Sequence, residues 1–174
     1  MKPANIRSLS TKTGDTGYSS DYTGARHKKD AELFEALGTI DELSSWIGIC
    51  YQMTRKEELR NIQKDLQTIN SMIATSPDHP NYRKLTLLSD GDVEWLEVQE
   101  QALLEKVDLQ NAFVLPGSDS SAIGAWVDLA RAITRRAERR FFSFVNQSKR
   151  TDLDKCGIYL NRLSDYLFLM ARAI

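Results

Sequence analysis

Residues 120–144, SSAIGAWVDLARAITRRAERRFFSF, place Ile123, Trp126, Val127, Ala130, Ile133, Ala137, Phe141 and Phe144 at steps of three and four. That spacing lines one face of a helix. Ser118, Asp119 or Ser120 is the expected N-cap, since a short oxygen-bearing side chain there accepts from a free backbone N–H. The same stretch carries Arg131, Arg135, Arg136, Arg139 and Arg140, with Glu138 as the one acid among them. Arg131, Arg135 and Arg139 repeat every fourth residue and so share a face. Like charges at that spacing repel. A face built this way suits an anion or an acidic partner, and arginine suits two-pronged contact with phosphate or carboxylate. Its plain alternative is a solvated basic face with snorkelling stems.

The neighbouring segments repeat the helical pattern. A helix is expected over roughly 30–53, with Leu33, Phe34, Leu37, Ile40, Leu43 and Ile47 on one face. Another runs over roughly 56–74 through Leu59, Ile62, Leu66, Ile69 and Ile73. A third spans 90–106, and a fifth about 152–173, with Leu153, Leu163, Tyr166, Leu167 and Met170 apolar. Only four prolines occur, and Ser76-Pro77-Asp78-His79-Pro80-Asn81 is a clear break. Five amphipathic helices with short connections predict an all-α, up-and-down bundle.

Composition bounds the function. The chain has 174 residues, 41% of them apolar and 27% charged, in the range of one globular domain. A net charge of −1 argues against a general nucleic-acid or polybasic membrane binder. No aromatics interleave the arginines as a stacking platform would require. Cys50 and Cys156 form no CxxC motif, and His27 and His79 are far apart, so neither a zinc module nor a histidine-built metal site is expected. No stretch is long and apolar enough to span a bilayer, and no secretory h-region precedes the first helix, so a cytoplasmic address is expected.

The first thirty residues differ from the rest, being rich in Gly, Ser and Thr. A polar segment of that length is either functional or disordered. Within it, Thr11-Lys12-Thr13-Gly14-Asp15-Thr16-Gly17 can turn tightly and gather N–H groups around phosphate oxygens, although it lacks Walker A spacing. Arg26, Lys28 and Lys29 then stand just before a helix N-terminus, a second anion-favouring position. Asp41 and Glu42 interrupt the first helix, and Asp41 is a candidate mate for one of the arginines. Asn161 and Asp165 are a polar pair on a largely apolar helix and need partners. Phe113-Val114-Leu115-Pro116-Gly117 is an apolar loop that either packs on the core or meets a flat hydrophobic ligand.

Six ordered blocks together resemble the propanediol-utilisation type of ATP:corrinoid adenosyltransferase. They are 11–17, Lys29-Asp30, Gly38-Thr39-Ile40-Asp41-Glu42-Leu43, Phe113 to Gly117, Arg135 to Arg140, and Tyr159 to Phe168. The resemblance implies a ferritin-like, cobalamin adenosyltransferase-like five-helix bundle. Residues 1–28 would form a non-helical ATP-binding arm and 29–174 the bundle, within one domain of 1–174. It implies a homotrimer with sites between subunits, which transfers the 5′-deoxyadenosyl group from ATP to cob(I)alamin and releases triphosphate. Carried over residue by residue, Thr11, Lys12, Thr13, Gly14, Gly17, Lys29, Arg135, Glu138, Arg139 and Asn161 would hold ATP. Asp41 and Arg135 would pair across the subunit interface, Phe113 would press on the lower corrin face, and Asp165 would stand near the same site. Asp41, Phe113, Arg135 and Arg139 are the catalytic candidates. Mg²⁺ would ride on the ATP phosphates rather than on protein ligands. A corrinoid reductase or an adenosylcobalamin-dependent enzyme is a possible partner, whereas nucleic acid and membrane are not. Ser10, Thr16, Ser118 and Asp119 depart from the family's usual residues. The alternative function is an adenosylcobalamin or ATP carrier, or a regulatory trimer, with little turnover.

Overall fold

The computed structural model describes residues 12–109, 114–117 and 121–174. Its helices are α1 (Glu32–Thr54), α2 (Glu57–Ile73), α3 (Asp90–Leu104), α4 (Ala122–Ser148) and α5 (Asp154–Ala173). Two short strands, β1 (Tyr18–Ser20) and β2 (Arg26–Lys28), precede them as an antiparallel hairpin.

The chain runs up and down. Only Arg55 and Lys56 separate α1 from α2, and Arg55 takes a left-handed φ of 58° that stops α1. Gln63 of α2 donates to Ser44 O, and Asn70 donates to Leu37 O, so the two helices are antiparallel. Arg136 pairs with Glu42 and Arg140 with Glu35, which sets α4 antiparallel to α1. Lys155–Asp90 and Arg162–Glu97 set α5 parallel to α3. The fully buried core is the one the helical spacing picks out: Ile40, Leu43 and Ile47 from α1, Leu59, Ile62, Leu66 and Ile69 from α2, Ala137 and Phe141 from α4, Leu163 and Leu167 from α5. Burying such side chains contributes about 1.5–3 kcal/mol each.

Several boundaries differ from the expectation. Ser121 is the N-cap of α4, its Oγ accepting from Gly124 N at 3.1 Å, one residue beyond the expected cap. Helix α4 continues four residues past Phe144 and ends at Lys149 with φ 56°. Helix α3 starts on a capping box between Ser89 and Asp92 and ends at Leu104. The hairpin was not anticipated. Its turn is built by Asp21, whose carboxylate accepts from Thr23 N, Thr23 Oγ1 and Ala25 N and meets His27 Nε2 at 3.0 Å. Burial alone would raise the Asp21 pKa, but the bonds from Thr23, His27 and Ala25 outweigh it and hold the carboxyl below its ordinary value. Tyr22 N donates to Ala74 O at 3.0 Å, which docks the hairpin tip on the end of α2.

A second tie holds the same end of α2. Arg150 donates to Met72 O at 3.0 Å and to Thr75 O at 3.1 Å, and it grips Asp152 with two bonds of 2.6 Å. Tyr82 OH donates to Asp152 at 2.6 Å, and burial together with that carboxylate pushes the Tyr82 pKa up to about 12. None of the helices is long and apolar enough to cross a membrane, among the described residues.

Candidate active site

Residues 12–17 form two overlapping turns, Asp15 N donating to Lys12 O and Gly17 N to Gly14 O. Lys12 sits at φ 57°, a left-handed conformation that a non-glycine side chain adopts at a cost of about 1 kcal/mol. Gly17 has φ 81°, and its carbonyl accepts from Lys29 N at 2.9 Å. The turn is therefore tied to the residue that leads into α1. Arg26 fixes its other side, donating to Thr13 O at 2.9 Å. The glycine at position 14 has a spatial reason. A Cβ there would stand 3.1 Å from Lys29 Nζ and 3.3 Å from its Cε. The Lys29 amine lies directly over the turn, and both Lys12 and Lys29 are exposed.

The arginines of α4 divide into two sets. Arg136 and Arg140 lean onto α1 and pair with Glu42 and Glu35. Arg131 turns back to Asp128, 3.3 Å away and only 4% exposed, which also faces Arg172. Arg135 and Arg139 point away from the core, are exposed, and meet no acidic partner among the described residues. One guanidinium N–H of Arg139 donates to Arg135 O at 3.0 Å. The sequence reading grouped Arg131 with these two. The structure separates it, because the buried carboxylate of Asp128 claims it.

Glu138 and Asn161 are brought together. Asn161 Nδ2 donates to Glu138 Oε1 at 3.1 Å, and Arg162 donates to Asn161 Oδ1 at 2.9 Å. Asp165 is solvent-exposed, stands 3.5 Å from Ser164 Oγ and acts through its charge on Arg162 and Glu100. Asp41 is also exposed and is not the in-chain mate of an α4 arginine. That role falls to Glu42. Asp41 instead lines a groove of about 580 Å³ between α1 and α2, with Arg60, Gln63, Lys64 and Asn70. Thr11 and Phe113 lie outside the described residues, as do Ser10, Ser118 and Asp119. Just beyond Phe113, Leu115 is 75% exposed, so this part of the apolar loop does not bury itself in the core. Arg26, named with Lys28 and Lys29 as part of a basic run, fixes the glycine turn, and Arg162 carried no site role in the sequence. Arg162 stood inside a quoted block, but its partners are remote or depend on the packing of α3 on α5.

Because α1 and α4 are antiparallel, the Glu35–Arg140 pair puts the Arg139 end of α4 beside the start of α1, where Lys29 and the glycine turn lie. Among the described residues Lys12, Lys29, Arg135 and Arg139 meet no acidic partner, and a helix start with open cations favours anions. No three His, Cys, Asp or Glu side chains converge on a metal-sized position among the described residues.

This is a helical-bundle protein with open cations on α4 and ahead of α1. The chain matches the cobalamin adenosyltransferase family over residues 9–174, and it belongs to that family. It is 41% identical to human corrinoid adenosyltransferase MMAB, across 98% of this chain and 70% of that one. It is 34% identical to the corrinoid adenosyltransferase of Bacillus subtilis, across 95% and 86% of the two chains. Among solved structures it is similar to a variant PduO-type ATP:corrinoid adenosyltransferase from Lactobacillus reuteri complexed with cobalamin and ATP. That likeness has a TM-score of 0.84 at 28% identity and covers 95% of this chain and 92% of the other.

Proposed function

We propose that this protein is a PduO-type corrinoid adenosyltransferase, an enzyme that moves the 5′-deoxyadenosyl group of ATP onto cob(I)alamin and releases triphosphate. The observation that carries the reading is the open pair Arg135 and Arg139 on the outer face of α4, together with Lys29, which overlies the Gly14 turn ahead of α1. In this reaction the reduced cobalt supplies both electrons of the new cobalt–carbon bond. The C5′–oxygen bond breaks, and triphosphate leaves with that pair. Charge builds on the leaving group, where fixed guanidinium and ammonium groups stabilise it. Lys12, Lys29, Arg135 and Arg139 supply that charge, and Thr11, Thr13, Gly14 and Gly17 wrap the nucleotide. Glu138 and Asn161 shape the site. The substrate brings its own nucleophile, so the chain's task is to place C5′ and cobalt in line. Phe113 covers the lower corrin face and excludes water. A magnesium ion would ride on the nucleotide phosphates, and no step above runs through it.

The active unit is a homotrimer. Asp41 faces the α1–α2 groove while Arg135 faces outward from α4, so a pair between them needs two copies of the chain. Residues 1–28 serve as the nucleotide arm and 29–174 as the bundle of one domain. The protein acts in the cytoplasm, beside a corrinoid reductase or an adenosylcobalamin-dependent enzyme that takes up the product.

The test is an anaerobic assay with ATP and chemically reduced cobalamin, following loss of the Co(I) absorbance and release of triphosphate. Adenosylcobalamin and triphosphate in equal amounts are expected. ATP binding without turnover would overturn the reading in favour of a carrier or regulatory trimer.

A further inference from the structure

Glu138 is the one acid in the arginine-rich stretch of α4, and it stands three residues from Arg135 and next to Arg139. On a helix, an arginine and a glutamate three apart reach each other readily. Left free, the Glu138 carboxylate would fold onto Arg135 and cancel half of the open pair. It does not, because it is held from the other side. Asn161 Nδ2 donates to it at 3.1 Å. The orientation of that amide is fixed by chemistry at both ends. A carboxylate only accepts and a guanidinium only donates, so Nδ2 faces Glu138 and Oδ1 faces Arg162, 2.9 Å away. Arg162 is anchored in turn by Glu97 of α3, Nε to Oε1 at 2.8 Å. The Glu97 bond, with the negative field of Glu97, Glu100 and Asp165 behind it, outweighs desolvation and holds the Arg162 pKa above its ordinary value.

We propose that Arg162, anchored by Glu97, is a positioning residue of the nucleotide site: through the Asn161 amide it tethers Glu138 away from Arg135 and keeps the anion site from neutralising itself. The tether crosses three helices, from α3 through α5 to α4. It rests on the function proposed above only in taking the anion to be the triphosphate of ATP.

Arg162→Met is the test, read with calorimetry. Affinity for ATP and for inorganic triphosphate is expected to fall about fivefold, the scale of losing one partly exposed ion pair. The KM for cobalamin and the melting temperature stay as in the parent. Arg162→Lys, which keeps the charge but not the two-pronged fork, lies between. In a Glu138→Gln background, where no carboxylate remains to be tethered, Arg162→Met has no further effect on triphosphate binding. Equal triphosphate affinity in the parent and Arg162→Met would overturn the proposal. So would losses that multiply in the Glu138→Gln background, because independent structural effects add as free energies. A parent chain that binds triphosphate but not ATP would remove the functional reading and leave the tether standing.

Discussion

Arginine does opposite work in two regions of this bundle. At the α2 corner Arg150 is nearly enclosed, with its side chain 10% exposed and donating to Met72 O, Thr75 O and both oxygens of Asp152. On α4, Arg135 and Arg139 are exposed and meet no acidic partner among the described residues. The first region is satisfied and closed, so its energy is spent on holding the fold. The second is left incomplete, which costs repulsion between neighbours unless an anion arrives. In the proposed site, incomplete charge on the helix is the better marker than the number of arginines.

The largest expected effect tests the open region. Arg139→Ala should lower kcat/KM for adenosyl transfer about a thousandfold, about 4 kcal/mol of lost transition-state stabilisation, at the upper end for one oxyanion donor. Its melting temperature should stay within a degree or two of the parent, since the side chain is exposed and supports nothing in the core. Near-parental turnover at saturating ATP would erase the distinction between the two regions from the functional side.

Arg150→Met tests the closed region. Removing one member of an enclosed ion pair leaves Asp152 without its counter-charge and frees two carbonyls, so a loss of about 3 kcal/mol in unfolding free energy is expected. Specific activity of the folded fraction at low temperature should be near parental. The corner also sets an acid limit. Burial would raise the Asp152 pKa, but the bonds from Arg150 and Tyr82 and the Arg150 charge hold it below its ordinary 3.8. A depressed carboxylate pKa contributes stability that is complete above the ordinary value and is lost as pH falls through the folded one. The parent should therefore lose stability below about pH 4 more steeply than Arg150→Met, as urea unfolding at stepped pH would read.

The two regions were unequally legible in the sequence. The five helices and their core were readable because the apolar spacing of three and four is a local signal, repeated over many turns. Arg135, Arg139 and Lys29 were readable as charge clusters and family blocks. The Arg150 corner was not, because its partners Tyr82, Met72 and Thr75 are about 70 residues or more away and only packing brings them together. The hairpin escaped for a different reason. Its strands have three residues each and alternate no apolar face, so the only clue was the turn chemistry of Asp21 and Gly24. Pairing on α4 escaped too. Periodicity grouped Arg131 with Arg135 and Arg139, and only the buried Asp128 separates it.

Gly14→Ala sharpens the open region at smaller scale. The added methyl would crowd Lys29 Nζ at 3.1 Å, and a flexible ammonium can retreat without disturbing the fold. The KM for ATP should rise about fivefold, or about 1 kcal/mol, with an unchanged melting temperature. No change in KM would separate Lys29 from the nucleotide.

The smallest effect belongs to Arg136, which shares a helix and a sequence neighbour with the open pair. It is paired with Glu42, but both side chains are nearly half exposed, at 47% and 46%. A pair so wet contributes at most about 1 kcal/mol, and salt weakens it further. Arg136→Ala should then cost under about 1 kcal/mol in stability and less than a twofold change in kcat/KM in the isolated chain assay at 0.15 M salt. The comparison turns on this variant. Arg135 and Arg136 are adjacent in sequence and equal in charge, and they differ only in which way the helix turns them. If Arg136→Ala lost as much activity as Arg139→Ala, net positive charge along α4 would be what binds the anion, and the partner of each guanidinium would not matter. If it loses almost none, an acid on α1 has taken Arg136 out of the site, and the two guanidiniums with no acid across from them are the ones left to meet the triphosphate.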